Sequence, residues 1–162
     1  GLSAMAFVGI VIYFLIIDIR HSSDLSYAKN VLPAMKQNWQ SKKISRYQIS
    51  VFVHTLYALE EFKGAENVYL CSLVPEDILT IHNNFVIGNS GMPECSGIFR
   101  QLTIERVFDL AEKYRISKSP YINQLEFDPN YGYISFLGLR YQEGGHPISI
   151  RLSNLVILEQ EK

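Results

Sequence analysis

The sequence predicts an α+β fold: an N-terminal transmembrane helix followed by a small antiparallel sheet packed against one amphipathic helix. Three observations carry this expectation. Residues 1–17 hold no charged side chain, and Asp18 is the first. The apolar pattern changes to period two over residues 44–59, as in a strand with one buried face. A later stretch, 103–115, shows an apolar stripe at helical spacing. The chain has 162 residues, of which 48% are hydrophobic and 19% charged, which excludes a mainly disordered chain. Fifteen basic against sixteen acidic residues give a net charge of -1, so no excess of cations marks a nucleic-acid binder.

The first segment, 1–20, is expected to be the anchor. Seventeen helical residues span about 25 Å, the short end of what a hydrocarbon core of roughly 30 Å requires. Ile19 and the snorkelling stem of Arg20 extend it. A signal peptide would show small residues at a cleavage site after the apolar run, and Asp18–Asp24 offers a poor one. A core helix in a domain this small would keep a polar stripe toward water, and this run has none. Ser3, Ala4, Ala6 and Gly9 are the small residues expected to pack on partner helices. Type IV pilins also begin with an apolar helix, but usually carry Glu at the fifth mature position, where this chain has Met5. A pilin-like subunit is thus a lesser alternative.

Residues 21–43 read as a connecting helix, capped by Ser23 or Asp24 and crossed by Pro33, which is expected to break or kink it. Leu25, Ala28, Leu32, Met35 and Trp39 share one face. Residues 44–162 form the expected extracytoplasmic domain. Its first strand places Tyr47, Ile49, Val51, Val53 and Tyr57 on one side. Residues 67–73 read as a second strand, and 78–87 as a hairpin turning at His82, Asn83 and Asn84. Glycine and proline make 88–101 a loop. Thr103 caps the amphipathic helix, whose dry stripe is Ile104, Val107, Phe108, Ala111 and Tyr114. Strands follow at 122–128, 133–142 and 148–158, the first two joined by an Asp128–Gly132 turn.

Cys71 and Cys95 are the only cysteines. They match no zinc pattern, and pairing them would add about 3 kcal/mol. A disulfide places the domain outside the cytoplasm. Arg20, Lys29 and Lys36 after the anchor pull the other way. The cysteines weigh more, because the sequence opens on Gly1 and leaves the preceding flank open. The expected location is therefore the bacterial inner membrane, single-pass, with the C-terminal domain periplasmic or extracellular.

Chemistry-bearing patterns are few. The run Gly88-Asn89-Ser90-Gly91-Met92-Pro93 only weakly matches the GDSGGP loop of trypsin-like proteases, and a serine nucleophile needs a positioned base. His21, His54, His82 and His146 form no HxH or HExxH pair, so no metal and no cofactor are expected. Glu60-Glu61 and Glu76-Asp77 are neighbours in sequence only. Tyr121, Tyr131, Tyr133 and Tyr141 gather around the last hairpin. With Phe127 and Asp128, the last three of these make a possible binding hairpin.

The order Trp39, Tyr47-Gln-Ile-Ser-Val, Ile-Leu-Thr-Ile-His-Asn-Asn-Phe-Val-Ile over 78–87, Thr103-Ile-Glu-Arg-Val-Phe-Asp-Leu-Ala and Phe127-Asp-Pro-Asn-Tyr-Gly-Tyr-Ile resembles a bacterial family of secreted or membrane-anchored domains of unknown function. The family's signature hairpin is of the YDPxYGYP type. Phe127 and Ile134 depart from it, standing for the usual Tyr and Pro. The resemblance implies an extracytoplasmic α+β domain and no particular reaction. The expected function is a non-catalytic, membrane-anchored accessory subunit or interaction module of a larger membrane complex. It would meet its partners through the anchor and the domain surface, with the lipid bilayer as its support. The alternative is a sensor that binds a small ligand at the Tyr-rich hairpin.

Overall fold

The computed structural model describes residues 24–73 and 76–162. The expected anchor, with Ser3, Ala4, Ala6 and Gly9, lies outside the described residues. Among those that are described, no helix is long and apolar enough to cross a membrane.

The chain forms an α+β domain around a six-stranded antiparallel sheet, ordered β3-β2-β1-β6-β5-β4. The strands are β1 (Ile44–His54), β2 (Asp77–His82), β3 (Phe85–Asn89), β4 (Tyr121–Phe127), β5 (Ile134–Arg140) and β6 (Ile148–Gln160). The helices are α1 (Leu25–Ser41), α2 (Val68–Leu73), α3 (Ser96–Phe99) and α4 (Ile104–Tyr114). The long central strands β1 and β6 pair through Val51 with Leu152 and Val53 with Ile150, joining a front half (β1–β3) to a back half (β4–β6).

Period-two alternation sorts the sheet into two faces. Tyr47, Ile49, Val51 and Val53 are buried beside Leu79, Ile81, Leu137, Leu139, Ile150 and Leu152. Both α1 and α4 pack over this face. The expectation of a single covering helix is therefore corrected. The segment read as a connecting helix, 21–43, supplies Val31, Leu32, Met35 and Trp39 to the core. It is part of the fold because its stripe needs an apolar surface to cover it. Asp24 caps it by accepting the Ser26 N–H. Pro33 does not break it: the ring sits on the exposed side, where water can satisfy the carbonyl it leaves unpaired.

A second correction concerns 67–73. Asn67 adopts φ +63° and Cys71 N–H bonds back to the Asn67 carbonyl, so the segment is the short helix α2 rather than a strand. A run this short cannot be assigned by periodicity alone. Strand β1 ends at His54 instead of running on, because Thr55 is left-handed and a 3-10 turn, Leu56–Ala58, follows. A third correction concerns 88–101, expected as a loop: β3 runs on to Asn89, and Pro93, whose fixed φ suits a first helical position, starts a 3-10 turn that leads into the short helix α3. Asn83 and Asn84, both at positive φ, turn the β2–β3 hairpin. Thr103 accepts the Arg106 N–H at the start of α4.

Candidate functional site

The residues of the expected binding hairpin close a turn and pack against the core. Asp128 accepts the N–H groups of Asn130 at 3.0 Å and Tyr131 at 2.7 Å, which closes the turn. Gly132 takes φ +75°, and a Cβ there would stand 3.0 Å from Met35 Cε. The turn thus lies directly against α1. Tyr133 is buried and meets Trp39 edge-on at 6.1 Å. Burial first, and then the Asp128 carboxylate, push its hydroxyl pKa up to about 12. Phe127 is also in the core. Tyr141 stands at the far end of β5, seven residues and roughly 23 Å from the turn, where its hydroxyl donates to the Ala58 carbonyl at 2.8 Å. Tyr131 is exposed, and Asp128 and Tyr141 are half-buried. Phe127, Asp128, Tyr131, Tyr133 and Tyr141 therefore do not converge on one pocket.

A groove of about 510 Å³ lies beside α4, lined by Glu61, Phe62, Asn84, Gln101, Arg106, Asp109, Leu110 and Lys113. Its charges are largely spoken for. The Tyr114 hydroxyl donates to Glu61, 2.7 Å from both carboxylate oxygens, and the Lys113 ammonium pairs with the same carboxylate. Burial raises the Glu61 pKa, but the hydrogen bonds from Lys113 and Tyr114 outweigh it and hold the carboxyl below its usual range. Asp109 is tied to Lys36 at 2.8 Å. These pairs fasten α4 to α1 and to the 56–64 turn.

The second sheet face is open. A shallow groove of about 420 Å³ includes His54, Gln124, Phe136, Arg140 and His146. Strand register lines Phe52, Arg151, Phe136 and Glu126 across this face, with the Arg151 guanidinium 4.9 Å over the Phe136 ring.

Chemically, Ser90 meets the Asp77 carboxylate and not an imidazole. Its hydroxyl donates to Asp77 at 3.0 Å and accepts the Ile78 N–H at 3.1 Å. Asp77 is buried and also receives Asn89 Nδ2 and Gly91 N–H. The protease-like loop is thus a latch that closes on β2, while His54 and His82 sit on the opposite, open face. Among the described residues no three His, Cys, Asp or Glu side chains are grouped to hold a metal.

The expected disulfide is present. Cys71 on α2 and Cys95 are joined, with 5.5 Å between Cα atoms, both within the buried core. Sequence reasoning missed the exposed apolar set on α2. Tyr69 stacks on Tyr57 at 4.4 Å, and Leu70 and Leu73 stand in solvent beside it. Reading 67–73 as a strand hid them, since helical spacing is what brings 69, 70 and 73 to one side. No family model matches the chain, and neither a curated protein nor a solved structure matches it.

Proposed function

We propose that the chain is a non-catalytic, single-pass membrane protein whose domain serves as an accessory subunit on the extracytoplasmic side of a larger membrane complex. The observation that carries this reading is the coexistence of a charge-free run, residues 1–17, with a Cys71–Cys95 disulfide in the domain that follows. Such a run suits lipid, and a disulfide persists outside the reducing cytoplasm. In this reading residues 1–20 form a helix in the bacterial inner membrane, and Ser3, Ala4, Ala6 and Gly9 let partner helices approach closely.

The family resemblance of residues 39–158 favours the same address. Its most specific piece, residues 127–133, packs on Trp39 and Met35 of α1, which is consistent with a structural purpose for the pattern. The engagement of Ser90, Glu61 and Asp128 in latches and turns favours a binding role over a chemical one.

Extraction in mild detergent followed by native mass measurement tests the assignment. A discrete complex with a second membrane protein is the expected result. A lone monomer under every mild condition overturns it.

A further inference from the structure

We propose that one end of the domain, marked by Tyr69, Leu73 and Ile116, rests on the bilayer surface, so that the domain lies on the membrane and does not hang free of it. This rests on the reading of residues 1–17 as a membrane anchor.

The end is defined by chain geometry. Strand β1 finishes there at His54, and the turn Leu56–Ala58 follows. Tyr141, just beyond β5, bonds to Ala58 in that turn. Helix α4 finishes there too, since Tyr114 reaches Glu61 and Ser119 accepts the Gln142 N–H. Helix α1 runs antiparallel to α4, because Trp39 bonds to Glu105 while Lys36 bonds to Asp109 and Glu112. Trp39 lies by the 128–132 turn at the opposite end of the sheet. Fourteen residues back, roughly 21 Å along the axis, Leu25 arrives at the end in question. The chain that leads to residues 1–17 therefore departs from this end. Ile17 and Asp24 are joined by a stretch that spans at most about 25 Å fully extended, so the bilayer is held close to it.

Among the described residues, the same end exposes large apolar side chains. Ile116, just past α4, is 86% exposed, Leu73 80% and Tyr69 68%. The Tyr57–Tyr69 stack ties α2 to the turn at this end. Tyrosine with neighbouring aliphatic residues suits the water–lipid interface. A second apolar set, with Phe85, Val156 and Leu158, is also exposed. It belongs to the other end, since β6 pairs Ile157 with Tyr47 and β2 pairs His82 with Arg46. The tether cannot bring both ends to the bilayer, and it favours the first. Charges of both signs lie at this end, with Glu60 and Glu143 near Tyr141 and Arg115 and Lys118 just past α4, so the docking is assigned to the apolar side chains and is expected to depend little on salt.

The test uses the full chain in vesicles of phosphatidylethanolamine and phosphatidylglycerol. Benzoylphenylalanine is placed at Leu73, Ile116 or, as control, Asn130 in the distal turn, all exposed positions. The proposal expects a chain that resists alkaline extraction, with lipid adducts at 73 and 116 severalfold above those at 130. An extraction-resistant chain with equal or no lipid adducts at the three positions overturns the docking and leaves the anchor standing. Protein adducts in place of lipid at 73 and 116 overturn it as well. A chain released by alkali overturns the anchor reading and the docking with it.

Discussion

The Tyr47 hydroxyl donates to Glu105 Oε2 at 2.8 Å and accepts the Ile104 N–H at 3.1 Å. One buried oxygen therefore joins the central strand to the first turn of α4. Glu105 also accepts Trp39 Nε1 at 3.2 Å, so α1, α4 and the sheet share a single carboxylate. A carboxylate in the first turn also suits the positive end of the helix dipole. Burial first, and then the Glu105 charge, hold the Tyr47 pKa well above its ordinary value. The phenol stays neutral and continues to donate.

Tyr47→Phe keeps the ring and removes that oxygen. It leaves the Ile104 N–H without this acceptor and is expected to cost about 1–3 kcal/mol, read as a lower urea midpoint with unchanged slope. An unchanged midpoint would show that the three-way junction contributes nothing.

The Cys71–Cys95 bond closes a loop with a sequence separation of 24. Replacing both cysteines by Ser is expected to lower stability by about 3 kcal/mol. Reductant is expected to lower the Tm of the wild-type chain but not that of the double variant. Two free thiols in protein taken from its native membrane would contradict an extracytoplasmic domain.

Gly91 lies under the Asp77 latch. A Cβ there would stand 2.6 Å from Asp77 Oδ2 and 2.8 Å from Cγ, and the donors from Asn89, Ser90 and Gly91 hold that carboxylate in place. Gly91→Ala is therefore expected to cost about 1–3 kcal/mol and to speed proteolytic cutting in 88–101. Equal cutting rates in the variant and the wild type would refute the latch.

Much of the fold is legible in the sequence because local chemistry decides it. Thr103 before an apolar stripe gives α4, paired asparagines give the β2–β3 turn, and Asp128 with Gly132 gives the last hairpin. Other features depend on distant contacts. Residues 68–73 are too short for periodicity to choose helix over strand. Nothing local to 25–41 says that Trp39 will meet Tyr47 and Tyr133. The tyrosines of the expected binding hairpin were readable as a cluster in sequence. Which of them would turn inward depends on α1 lying across the turn, and that is a tertiary fact.

Glu61 gives a pH dependence of known sign. Its folded pKa lies below the ordinary 4.5. The stability it contributes is present above about pH 4.5 and is lost as pH falls through the folded pKa. Melting temperature should therefore fall more steeply below pH 4.5 in the wild type than in Glu61→Gln. Parallel curves would mean that the Tyr114 and Lys113 contacts do not distinguish the two charge states.

The most direct measurement of the central claim is the intact mass of the mature chain in alkali-washed membranes. The account predicts that residues 1–23 remain attached and that the chain stays with the lipid. A mature product cut before Asp24, or an uncut chain recovered in the aqueous wash, would contradict it.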